Sequence, residues 1–151
     1  MKSQLLDSGD GDRTFILILE PGEEAFEAIR AFAETHALTA ASVTAIGAFS
    51  EAVVGFFDVG SKSYSKIPIA EQSEVLSMLG DIAIDDHEKA SPHLHVVLGL
   101  SDGTTRGGHF ISGRINPTLE IVITETPAQL RRRKRPDLGV ALIDLDASEG
   151  S

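Results

Sequence analysis

A chain of 151 residues, 42% hydrophobic and 24% charged, has the size and composition of one folded domain, which argues against disorder except at the ends. The absence of cysteine excludes disulfides, thiolate metal sites and a cysteine nucleophile. Thirteen Lys and Arg against 23 Asp and Glu leave a formal charge of −10, and so acidic a surface repels phosphate backbones.

The N-terminus has no apolar run suited to a signal peptide, and no stretch approaches the ~18 apolar residues of a membrane span. A cytoplasmic protein without a membrane partner is the expectation. Residues 1–12 and 146–151, rich in Asp, Ser and Gly, are expected to be flexible, leaving 13–145 as a single domain.

In chain order, Arg13–Glu20 is an apolar run that reads as a first strand. Pro21-Gly22-Glu23-Glu24 suits a helix start, and Phe26, Ile29, Phe32 and Ala33 recur at helical spacing, so a helix is predicted over Glu23–His36. His36 near its end suits the helix dipole, a structural role. Ser42–Asp58 reads as two strands or one strongly bent strand, with Gly47 and Gly55 at the bends. Ser61–Ile69 reads as a loop and short strand, and Glu74–Ile84 as a strand with a bulge or close approach at Gly80. Asp85–Pro92 is polar and reads as a loop. His93–Leu100, Arg106–Arg114, Leu119–Glu125 and Val140–Leu145 complete about eight strands. With one good helix, the pattern is α+β on a largely antiparallel sheet.

Four of the five histidines fall between positions 87 and 109. On a strand, His93 and His95 project to one face, their Cα atoms roughly 7 Å apart. The next strand returns through a turn at Asp102-Gly103 and carries His109. Three imidazoles and an open position are the donor set of a catalytic zinc site. Register decides whether they meet. A two-residue turn at Asp102-Gly103 puts His109 opposite Val96, on the wrong face; a three-residue loop, or a bulge at Gly107-Gly108, brings it to the face of His93 and His95. Zinc is the expected metal, with nickel, copper or iron as alternatives. His87, in the polar loop, is read as an exposed histidine. Glu51, Asp81 and Glu120 are candidate carboxylates for a base or further ligand, and Arg106 and Arg114 are candidates for holding a substrate carboxylate. The odd spacing of both arginines from His109 places them on the opposite face of a regular strand.

Gly47-Ala48-Phe49, Glu74–Ile82, Pro92–Leu100 (PHLHVVLGL), Gly107-Gly108-His109-Phe110 and Leu119–Thr124 together resemble the PPC domain of plants and prokaryotes, over about Phe15–Leu145. The most specific part is the H-L-H-V segment followed by a hairpin and G-G-H. The resemblance implies a stand-alone, homotrimeric domain with a mixed sheet and a histidine metal site, with His93, His95 and His109 as ligands. In plants the domain follows AT-hook motifs in nuclear DNA-binding proteins. An AT-hook needs an R-G-R-P core, whose glycine lets the backbone sink into the minor groove. Here Arg133-Lys134-Arg135-Pro136 has lysine instead, and Arg131–Arg135 is read as a solvated basic segment before the last strand. The fold is also similar to acetolactate decarboxylase, a zinc enzyme with an H-x-H and a distant third histidine. The carboxylate after that enzyme's G-T-F motif has no clear counterpart, since Phe56-Phe57 stand in roughly that region, so its chemistry does not transfer.

Two functions follow from this reading. One is a trimeric metal-binding regulatory or interaction module with a DNA, protein or small-molecule partner. The other is a three-histidine metalloenzyme, a metal-dependent lyase or hydrolase acting on a small carbonyl or carboxylate compound. No residue is assigned as catalytic. A third possibility for the metal is structural, fixing a trimer interface.

Overall fold

Among the described residues, 1–8 and 12–150 of the computed structural model, the chain forms β1 (Lys2–Ser8), β2 (Arg13–Leu19), α1 (Ala25–Thr35), β3 (Ala41–Asp58), β4 (Ser63–Ile69), β5 (Ser73–Ile84), β6 (Ala90–Gly99), β7 (Thr105–Glu125), β8 (Ala128–Gln129), β9 (Arg132–Arg135), β10 (Val140–Ile143) and β11 (Glu149–Gly150). Seven strands make one antiparallel sheet in the order β1-β2-β7-β6-β5-β3-β4. Because β7 also pairs with β3, the strands β3, β5, β6 and β7 hydrogen-bond in a closed ring. Two small antiparallel pairs, β9–β10 and β8–β11, come from the C-terminal segment. This is the α+β, largely antiparallel architecture expected.

The alternation seen in the sequence is the alternation of burial. Phe15, Leu17 and Leu19 of β2 point into the core, as do Leu94, Val96 and Leu98 of β6 and Leu119, Ile121 and Ile123 of β7. The helix lays Ala25, Ile29, Phe32 and Ala33 on the same core. Its N-cap is Glu24, whose carboxylate accepts the N–H of Phe26 and Glu27 and also that of Gly113, tying the helix start to β7. His36 is the C-cap: its Nδ1 lies 3.0 Å from the Phe32 carbonyl oxygen and its ring stacks on Phe32.

One of the two alternatives holds for Ser42–Asp58, and two other segments differ from the expectation. Ser42–Asp58 lies within one continuous strand, β3, bent where its register shifts around Gly47. A Cβ at Gly47 would sit 2.3 Å from the Thr118 carbonyl oxygen, so two backbones cross there at a distance only glycine permits. Arg106–Arg114 and Leu119–Glu125 are joined in one 21-residue strand, β7. Pro117, which lacks an N–H, falls where the β3–β7 register jumps, so it interrupts no regular ladder. Finally, the N-terminal segment expected to fray carries β1, paired with β2 from Lys2↔Ile18 to Ser8↔Arg13, with the Met1 ammonium 2.8 Å from Glu23. An edge strand held by ladder bonds and an ion pair needs no apolar periodicity, and Leu5 and Leu6 are exposed. Glu149–Gly150 pair with β8; the parts of the expected flexible termini at 9–11 and 151 lie outside the described residues.

Candidate metal centre

The β6–β7 hairpin settles the register. The Leu100 N–H donates to the Thr104 carbonyl and the Gly103 N–H to the Leu100 carbonyl, enclosing a three-residue loop, Ser101–Gly103. Gly103 has φ +81°, the left-handed residue that closes such loops. The Asp102 carboxylate accepts from the Thr104 N–H and hydroxyl. With this loop length His109 sits directly opposite His95, and pairing runs unbroken through Gly107 and Gly108. The glycine pair is therefore not a bulge between β6 and β7. A Cβ at Gly107 would lie 2.5 Å from the Val96 carbonyl oxygen, and one at Gly108 2.5 Å from that of Gly55. The two glycines let β7 pass closely between β6 and β3. Gly80 is the same case: a Cβ there would lie 1.9 Å from the His93 carbonyl oxygen.

His93, His95 and His109 thus project together from the outer face of the sheet, each offering one ring nitrogen, all within 4.8 Å of one another. The Nε2 atoms of His93 and His95 are 3.3 Å apart. Two nitrogens bound to one zinc at 2.0–2.1 Å with a tetrahedral angle are separated by about 3.3 Å. The donor set and its spacing therefore fit a transition-metal ion. Nδ1 of His109 is buried and has no hydrogen-bond partner among the described residues. Gly55, opposite His109 on β3, leaves room for the Tyr64 ring, whose centroid lies 4.7 Å from that of His109.

At His93 and His109 the surroundings favour the neutral imidazole, the form that ligates a metal. Burial pushes the His109 pKa down to about 4, reinforced by the neighbouring His93 and His95 and by Arg132. Burial and then Arg132 also lower His93, with Asp81 pulling the other way. Arg132 is the site residue that sequence reasoning missed. Its side chain is 5% exposed, its guanidinium is paired with the Asp81 carboxylate, and Nη1 lies 3.4 Å from His93 Nδ1. Asp81 in turn sits directly opposite His93 in the β5–β6 register. Above the histidines is a cavity of about 480 Å³, walled by Phe57 and Tyr64 of the β3–β4 hairpin and by Gly139–Leu142 of the β9–β10 hairpin.

The remaining candidates lie elsewhere. His87 is exposed in the turn after β5, its N–H donating to Asp85. Glu51 pairs with Arg114, which also donates to the Gly22 carbonyl. Glu120 stands opposite Ile46, and Arg106 opposite Leu98. Of the three candidate carboxylates, only Asp81 adjoins the histidines, and neither Arg106 nor Arg114 lines the cavity. The basic run is not simply solvated. Arg132–Arg135 form β9, and Arg131, Arg132, Arg133 and Arg135 pair with Glu88, Asp81, Asp144 and Asp137.

Residues 6–127 match the Plants and Prokaryotes Conserved (PCC) domain. The fold is similar to that of a Bacteroides thetaiotaomicron protein provisionally described as DNA-binding (TM-score 0.86, 27% identity, 95% of this chain and 98% of that one). It is also similar to a metal-containing protein of Archaeoglobus fulgidus (TM-score 0.81, 29% identity, 95% of this chain and 96% of that one). In sequence the chain is 29% identical over 135 residues to the bifunctional protein GlmU of Synechococcus sp. (strain JA-3-3Ab), covering 88% of this chain. The chain spans about a fifth of the length of the curated relatives it matches.

Proposed function

The chain belongs to the Plants and Prokaryotes Conserved domain family, and from that premise we propose that it is a homotrimeric metal-binding module with a regulatory or interaction role. His93, His95 and His109 hold one divalent transition-metal ion, zinc by preference. The observation that carries this is the convergence of three imidazoles, each with a ring nitrogen within 4.8 Å of the others, on one sheet face. A bound ion supplies a Lewis-acidic centre with an open coordination position. Support comes from the Archaeoglobus neighbour, described as metal-containing.

The trimer reading draws on the same face. Ile46, Leu76, Leu79 and Val97 are each at least 43% exposed there, and Leu79 sits directly opposite His95. A contiguous apolar face of this kind suits a subunit contact. DNA association, ascribed provisionally to the Bacteroides neighbour, fits this chain less well. The net charge is −10, and four of the five residues in the basic run are engaged by carboxylates. A protein or small-molecule partner suits the charge better.

The cavity favours a second reading, the metalloenzyme acting on a small carbonyl or carboxylate compound. Asp81 is then the carboxylate at the site, and it is already held by Arg132.

The deciding experiment is elemental analysis of the purified, untagged protein together with its native mass. One ion per chain in a trimer, lost in the His93→Ala, His95→Ala double variant, is the expected result. A wild type that contains no metal and takes up none from zinc solution overturns the metal assignment; a monomeric mass overturns the trimer.

A further inference from the structure

We infer that the cavity above the three histidines is a binding site for a small organic carboxylate with a flat apolar body. The carboxylate sits at the histidine floor, and the body lies between the β3–β4 and β9–β10 hairpins. This rests on the metal reading above and adds the class of ligand.

The charge of the cavity is the first ground. The chain has 23 acidic residues, yet none of the twelve residues lining this cavity is Asp or Glu. The charge of Arg132 is matched by Asp81, which stands beside the cavity and binds its guanidinium. A divalent ion on three neutral imidazoles therefore brings two uncompensated positive charges to a floor with no acidic lining. An anionic ligand at the open position relieves them.

The walls are the second ground. Phe57, Tyr64, Val140 and Leu142 give apolar surface on two sides. The Tyr64 ring packs on both His109 and Phe57, with centroid separations of 4.7 and 5.0 Å, so this wall is broad and aromatic. A volume of about 480 Å³ has room for an arylalkanoate. A free inorganic anion fits the floor but leaves the walls unused. The opposite wall, Gly139–Leu142, comes from the β9–β10 hairpin, beyond residue 127 where the family match ends.

The test uses the full chain loaded with Co²⁺, whose visible absorption reports the donor set without any turnover. Phenylacetate is expected to change the cobalt spectrum saturably at one equivalent per chain. Binding should be about tenfold tighter than that of acetate, the worth of burying part of a phenyl ring. Leu142→Asn, at a position already 39% exposed, should remove most of that preference while leaving cobalt loading in place. Phe57→Ala should act in the same direction without adding charge. Phenethylamine, of similar shape and opposite charge, should leave the spectrum unchanged. Stoichiometric cobalt with a spectrum indifferent to carboxylates overturns the inference and leaves the metal reading standing. Equal response to acetate and phenylacetate, or to phosphate alone, overturns the apolar body. Failure of cobalt to bind overturns both readings together.

Discussion

Each of the three histidines faces the same point for a different reason, and His93 is the one with a carboxylate across the ladder. A metal-ligating imidazole usually gives its second ring N–H to a carboxylate or carbonyl, and loss of that partner costs 10–100-fold in affinity. For His93 the nearby carboxylate is Asp81, opposite it in the register and bound to the buried Arg132, whose Nη1 lies 3.4 Å from His93 Nδ1. Asp81→Asn should therefore weaken zinc retention by about 10–100-fold in competition with a chromophoric chelator. Unchanged affinity would mean that Asp81 serves only to neutralise Arg132. Gly80 bears on the same point from the backbone side. Gly80→Ala places a methyl 1.9 Å from the His93 carbonyl oxygen, so β5 and β6 must part beside the site. A loss of about 1–3 kcal/mol in urea denaturation, with weakened metal retention, is expected. The histidine trio and Asp81 were legible because alternation along a strand is a local property. Arg132 was not, because five consecutive basic residues look alike in sequence. The one turned inward is chosen by a distant contact, the bridge from Ile84 to Arg131 that lays β9 beside the end of β5.

At the scale of elements, the site depends on the length of one loop. Ser101–Gly103 puts His109 opposite His95; a loop one residue shorter puts it opposite a neighbour whose side chain faces the core. Deleting Thr105, which keeps this loop and shortens β7 ahead of His109, puts His109 opposite Val96 and should reduce bound metal to the level of His109→Ala, while circular dichroism still reports a β-rich fold. Full metal content in the deletion variant would show that the turn lengthens at the expense of β6 and leaves His109 opposite His95. Both solutions were open in the sequence, because loop length is fixed by which residues cross-pair and Asp102-Gly103 suits either turn. The helix was more legible, since its apolar spacing and start signals are local. Its cap carries a further consequence. Glu24 accepts two helix N–H groups and the N–H of Gly113, so Glu24→Ala should cost about 1–2 kcal/mol of stability by chemical denaturation, toward the upper end for a lost N-cap. A change of only a few tenths would mean that water replaces the carboxylate at both places. Two of the strands that escaped sequence reading, β1 and β9, share one property: both are held by ladder bonds and ion pairs, with no buried apolar alternation to announce them.

For the whole molecule, the question is what covers the outer face of the sheet. Ile16, Val122, Thr44, Leu79, His95 and His109 fall in one row across five neighbouring strands, so the apolar face runs directly into the histidine site. Copies of the chain meeting on this face would bury the apolar half of the row and narrow access to the metal half, coupling assembly to ligand binding through a shared surface. Net charge of −10 on each chain opposes that assembly, so the apolar contact has to outweigh it, and salt should strengthen the oligomer by screening. Ile46→Asp puts a carboxylate into the apolar half, away from the histidines, at a position 58% exposed and therefore tolerant of charge in the isolated fold. Its native mass should fall from three chains to one of 16.1 kDa, with an unchanged circular dichroism spectrum and one metal ion still bound per chain. A variant that remains trimeric would place the subunit contact elsewhere on the molecule. A variant that loses its metal on becoming monomeric would show that a second chain completes the site, and that the three histidines of one chain do not hold the ion alone.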